Sequence, residues 1–97
     1  MKAYILVRVD VKDGEQYKKY LAVTPKLIEK FGGRALARAG RTETLEGPQE
    51  TRRVVVLEFP SMARAKEFYD SPEYQEARKL REHAAVGELV VVEGVPD

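Results

Sequence analysis

Two periods alternate along this chain. From Ala3 to Val11 the apolar positions fall on every second residue, with Ala3, Ile5, Val7, Val9 and Val11 on one face and Tyr4, Leu6, Arg8 and Asp10 on the other. That is a strand's period, with one purely apolar face suited to lie under helices and one mixed face that lines solvent or a cavity. After Asp13-Gly14 the period lengthens: Tyr17, Tyr20, Leu21, Leu27, Ile28 and Phe31 recur at helical spacing, and Lys18, Lys19, Lys26 and Lys30 fall on the wet side. Asp13 is placed as the N-cap, and Gln16 three residues on makes the start close to a capping box. Pro25 should kink this helix or split it at Thr24. Gly32-Gly33 supplies the stop.

Arg34 to Glu46 reads as a weaker strand region, in which Ala35, Ala37 and Ala39 alternate with Arg34, Leu36 and Arg38. Gly40 is the expected bulge or bend, and Glu46-Gly47-Pro48-Gln49 is a turn signal. The strand from Arg52 to Phe59 then returns antiparallel. Its run Val54-Val55-Val56-Leu57 is apolar at four successive positions, so both faces need cover. Pro60-Ser61 ends it, and Ser61 can cap a helix that buries Met62, Ala65, Phe68 and Tyr69. Ser71-Pro72 breaks and restarts that helix, and Tyr74, Ala77, Leu80 and Ala84 continue the apolar stripe. Gly87 leads into a last strand, Glu88 to Gly94, apolar on both faces. The order βαββαβ predicts one α+β domain over residues 1–97: a four-stranded antiparallel sheet with two helices on one face. The helices cover only that face. The other must meet something, and a second copy of the chain, a homodimer, is the simplest partner.

Composition narrows the functional classes. Seventeen basic and sixteen acidic residues leave a net charge of +1, which argues against a phosphate-backbone binder. An RNA-stacking sheet is excluded too, because Val54, Val56 and Glu58 stand where exposed rings would be needed. Cysteine is absent, so there is no disulfide and no thiolate metal site. His83 is the only histidine, near the end of the second helix, where a favourable partnership with the helix dipole explains it without a haem. No phosphate-cradling glycine loop and no carboxylates at ligand spacing are present. The expectation is therefore no cofactor and no metal. No apolar run approaches membrane-spanning length, and a soluble cytoplasmic protein without membrane or nucleic-acid partners is the natural reading.

Several stretches resemble a known family: RRVVVLEFPS, FYDSPEYQ, the Tyr17/Tyr20 pair, FGGR and the closing VVVEG. Together they are similar to the bacterial domain-of-unknown-function family numbered 1330, over about Ala3 to Gly94. The resemblance implies a ferredoxin-like fold and membership of the dimeric alpha-beta barrel superfamily, in which two sheets face each other to form a barrel. Relatives there include haem-degrading and quinol monooxygenases, small isomerases and dehalogenases, while the family itself has no agreed reaction. The resemblance thus implies the fold and the dimer, and function only loosely.

Asp10, Arg38 and Glu58 are the candidate chemical groups. Each lies in or at the end of a strand with apolar neighbours. Asp10 shares a face with Tyr4 and Leu6, Glu58 alternates with Val54 and Val56, and Arg38 on the adjoining strand can then reach a carboxylate. The functional reading makes Asp10 and Glu58 catalytic and gives Arg38 and Tyr4 the substrate, a small organic molecule held in an apolar cavity. The structural reading makes the same charges an ion pair that fixes strand register or the dimer interface. Tyr69 and Tyr74 flank the helix break, where they would line a pocket mouth or simply pack, and Ser71 is explained by capping. Arg78 and Arg81 would hold an anion or pair with glutamates. Two functions follow: binding or transforming a small organic molecule in a barrel cavity, or a module whose dimerisation is itself the role.

Overall fold

A computed structural model describes residues 1–96. In chain order the elements are β1 (Ala3–Val11), α1 (Gly14–Lys30), β2 (Arg34–Arg38), β3 (Arg53–Phe59), α2 (Met62–Asp70), α3 (Pro72–Lys79) and β4 (Ala85–Glu93). The sheet runs β2-β3-β1-β4 and every neighbouring pair is antiparallel. Along β1, Ala3, Ile5 and Val9 are buried, while Tyr4 and Leu6 are half-buried and Arg8 and Asp10 exposed. The alternation along β1 therefore does divide a helix-covered face from an open one.

The caps form where the sequence placed them. Asp13, Ser61 and Ser71 each accept a hydrogen bond from the backbone N–H three residues on, at Gln16, Arg64 and Tyr74. The capping box itself is not completed: the Gln16 amide donates to the carbonyl of Leu80, and Asp13 N–H to that of Ala84. Both bonds tie the start of α1 to the turn after α3. Pro25 does not split its helix, and α1 runs unbroken through it. Its missing N–H leaves the Leu21 carbonyl without the usual helical donor.

Three of the expected boundaries move. β2 ends at Arg38 rather than near Glu46, because Ala39 turns into the left-handed region (φ 53°) and residues 40–52 form no regular element. The bulge is at Leu36, between the pairs Ala35↔Leu57 and Ala37↔Val56, and not at Gly40. β4 starts at Ala85, so Gly87 lies inside it; a side chain there would press on Val9, its neighbour across the pair. His83 and Ala84 accordingly belong to the turn after α3 and not to a helix.

The core sits between sheet and helices. Phe59, Phe68 and Tyr74 are almost wholly buried and join Ile5, Phe31 and Leu57, with the rings of Phe59 and Phe68 5.2 Å apart and those of Phe68 and Tyr74 4.8 Å apart. A second group, Val9, Tyr17 and Ala85, fills the other end under the start of α1. Gly33 is required where α1 hands over to β2, because a Cβ would come within 2.5 Å of the Phe59 ring.

Candidate functional site

Where α1 crosses the covered face of the sheet, packing is incomplete. Val7, Val55, Leu57 and Leu89 form the floor, Tyr17, Tyr20, Leu21, Thr24, Pro25 and Ile28 the roof, and Phe68 and Tyr74 one wall. They enclose a cavity of about 230 Å³, to which β2 and β3 contribute Arg38 and Arg53. A mostly apolar hollow with a few convergent polar groups is the usual form of a small-molecule site.

The polar groups form a connected set. The hydroxyls of Tyr20 and Tyr74 are 2.8 Å apart, and the Arg81 guanidinium donates to the Tyr74 hydroxyl at 3.2 Å while lying 5.4 Å from the centre of the Tyr20 ring. The Tyr17 ring is 5.3 Å from that of Tyr20, and the Arg53 guanidinium lies 5.9 Å from the Tyr17 ring. Burial pushes the Tyr20 hydroxyl far above the ordinary tyrosine range, and the neighbouring Tyr74 raises it further. Burial raises Tyr17 as well, with Arg53 and Arg81 pulling back. Both hydroxyls are therefore neutral near pH 7 and able to donate to a ligand oxygen.

The trio expected from sequence is not assembled. Glu58 lies on the open face, where its carboxylate accepts from Arg34 Nε at 3.0 Å and meets Lys2 Nζ at 3.7 Å. Tyr4 is its register partner on β1. Asp10 shares that face but sits six residues further along β1, roughly 20 Å at the rise of a strand, and pairs with Lys12 at 2.7 Å. Arg38 is on the opposite face. An unbroken ladder would put it opposite Val54 on the open side; the extra residue at Leu36 puts it opposite Val55 instead, and so into the cavity. Tyr74 lines the same cavity. Tyr69 instead lines a wedge of about 330 Å³ between α2, α3 and β4, with Asp70, Arg78 and Arg81. Tyr17, Tyr20 and Arg53 are the members that sequence reasoning passed over as core or surface; Arg81, read there as an anion holder or an ion-pair partner, instead donates to the Tyr74 hydroxyl. The available signal was Tyr17 and Tyr20 three apart on the face of α1 turned to the sheet.

Comparison with known proteins places the chain. A family model described as Domain of unknown function (DUF1330) matches residues 2–95. No curated protein matches the chain. Among solved structures, a protein of unknown function from Rhodopseudomonas palustris is 25% identical, superposes with a TM-score of 0.79 and aligns over 99% of this chain and 84% of its own. A dimeric ferredoxin-like protein of unknown function from Jannaschia sp. is 16% identical, with a TM-score of 0.69 over 97% of this chain and 100% of its own. SnoaB, a cofactor-independent oxygenase from Streptomyces nogalater, is 10% identical, with a TM-score of 0.69 over 99% and 95% of the two chains. These likenesses establish a ferredoxin-like fold.

Proposed function

The chain belongs to the DUF1330 family, and from that premise we propose that it is a homodimer that binds and transforms a small organic molecule in the cavity beneath α1. The observation that carries this reading is the cavity itself: about 230 Å³ of space bounded by apolar side chains, with Tyr20, Tyr74 and Arg81 in hydrogen-bonded sequence at one side. The hollow opens to solvent on one side, and its lining is more apolar than polar, the form that a small-molecule site takes. The network offers the Tyr20 hydroxyl, kept protonated by burial, and the Arg81 guanidinium as donors suited to polarising a carbonyl or enol oxygen of the bound molecule. Arg38 and Tyr74 are the substrate-contacting groups in this reading. Asp10, Glu58 and Tyr4 belong to the other face of the sheet, where they serve ion pairing and the contact between copies. SnoaB supports the reading only as an instance of this fold carrying small-molecule chemistry.

Filling the cavity tests it. Leu21→Trp places a ring in the hollow from a half-buried position on α1. 2-Naphthamide, a neutral planar probe, should raise the melting temperature of the native protein and leave that of the filled variant unchanged. Equal shifts in both proteins would place the probe elsewhere and end the cavity reading. The alternative, that dimerisation is itself the role, is favoured by Glu58, whose ion pairs lie on the open face; it predicts no probe binding in either protein.

A further inference from the structure

Among the described residues, the cavity's cations have no counter-charge. Arg8, Arg34, Arg41, Arg52 and Arg64 each pair with a glutamate. Among the described residues no carboxylate pairs with Arg38, Arg53, Arg78 or Arg81; the first two line the cavity and Arg81 bonds to its Tyr74, while Arg78 lies away from it and donates to Gln75. Among the described residues no acidic side chain lines the cavity. The buried Arg53 Nε has no hydrogen-bond partner among the described residues. Arg38 and Arg53 are also neighbours: Arg38 is paired with Val55, two residues along β3 from Arg53, so the two project diagonally from one face, roughly 7–8 Å apart at the backbone. Two like charges that close, without a carboxylate between them, repel, and a buried donor without an acceptor costs stability. The tyrosines cannot neutralise them, because burial keeps their hydroxyls protonated.

We propose that Arg38 and Arg53 form an anion clamp, and that the molecule the cavity takes is a small organic carboxylate with a planar apolar body. The guanidinium fork matches a carboxylate in two-point geometry. Arg38, exposed at the end of β2, receives the anion at the mouth, and Arg53 holds it further in; the apolar body then extends between Leu21, Ile28 and Phe68, with its far end toward the Tyr20–Tyr74 hydroxyls. The clamp rests on the cavity reading above and adds to it the charge of the ligand. It also explains the bulge at Leu36, whose extra residue is what turns Arg38 from the open face to this one.

Calorimetric titration of the native protein with 2-naphthoate and 2-naphthamide separates the two. The clamp predicts that the carboxylate binds at least about tenfold more tightly than the amide, the effect of one hydrogen bond to a charged group. Arg38→Gln and Arg53→Gln should each lose about tenfold for the carboxylate and much less for the amide, so that the preference between the two shrinks. Arg53→Gln should also keep or raise the melting temperature, because it removes an unpaired cation, and Arg53→Lys should recover part of the carboxylate affinity. Equal affinity of the native protein for the two probes overturns the clamp and leaves the cavity reading standing, a result that needs no variant to fold. A carboxylate preference that survives both glutamine substitutions also overturns it, by placing the anion elsewhere. If neither probe binds, the clamp and the cavity reading fall together.

Discussion

Tyr20 is the residue in which stability and chemistry meet. Its ring closes the cavity, its hydroxyl bonds to Tyr74, and the Arg81 guanidinium covers it. Burial and the neighbouring Tyr74 raise its pKa above the unfolded value near 10, and burial raises that of Tyr17. The folded chain thus holds protons that the unfolded chain releases once the pH passes about 10. The stabilisation is complete below that pH and is lost as pH climbs toward the folded values, by up to about 1.4 kcal/mol per pH unit for each such tyrosine. Urea unfolding followed from pH 8 to 11 should show a plateau and then a fall, and Tyr20→Phe should lessen the fall. A native profile still flat at pH 11 would show that these hydroxyls ionise as freely in the fold as outside it. Glu58 is a contrasting case. It keeps two cations on the open face, yet its Arg34 and Lys2 partners are both largely exposed, so their worth is small.

Between elements, the join of α2 and α3 positions one side of the cavity. Buried Ser71 accepts from Tyr74 N–H at 3.1 Å and donates to the Phe68 carbonyl at 2.8 Å, so one hydroxyl closes α2 and opens α3. Both helices then deliver an aromatic ring to the cavity wall, Phe68 and Tyr74. Ser71→Ala should cost about 1–2 kcal/mol in urea unfolding, as loss of a buried N-cap does. A cost near zero would mean that Pro72 alone sets the restart. This junction was legible in the sequence, as were Asp13 and Ser61, because caps are local chemistry: a side-chain oxygen and a backbone N–H three residues apart. The alternation of β1 was legible for the same reason. The side on which Arg38 stands was not. It depends on a single extra residue at Leu36, and nothing in the run Arg34–Ala39 distinguishes a bulged ladder from a straight one, since its small alanines fit either face. The site was half-legible in consequence. Arg38 and Tyr74 reach the cavity, while Asp10 and Glu58, read as its acids, lie across the sheet from it. Arg81 was read from sequence as an anion holder or an ion-pair partner, and only the three-dimensional path after α3 buries it against Tyr74.

At the scale of the whole molecule, helices cover one side of the sheet and the protein is a slab 37 × 36 × 16 Å. The bare side presents Leu6, Val54, Val56, Val90 and Val92, with Val90 and Val92 about half exposed at 55% and 46%. A contiguous apolar sheet face of that kind is more than a monomer usually leaves in water. Light scattering at micromolar concentration should report about twice the 11.0 kDa chain mass, with an interface of about 1,200–2,000 Å² or more. Val90→Lys should halve the mass, since it plants a charge midway along β4 on that face. An 11.0 kDa particle from the native chain would remove the barrel from the picture. No helix among the described residues is long and apolar enough to cross a membrane.

The chain contains five tyrosines and no tryptophan. Ultraviolet-excited emission therefore comes from phenol rings alone, and of the three that line the hollow Tyr20 lies 5.3 Å from Tyr17 and 6.3 Å from Tyr74, centre to centre. Excitation passes readily among rings so close, so a molecule entering the hollow alters the brightness of the group as a whole. The protein carries its own optical gauge of occupancy, readable without label or dye, at the very place where its function is proposed to reside.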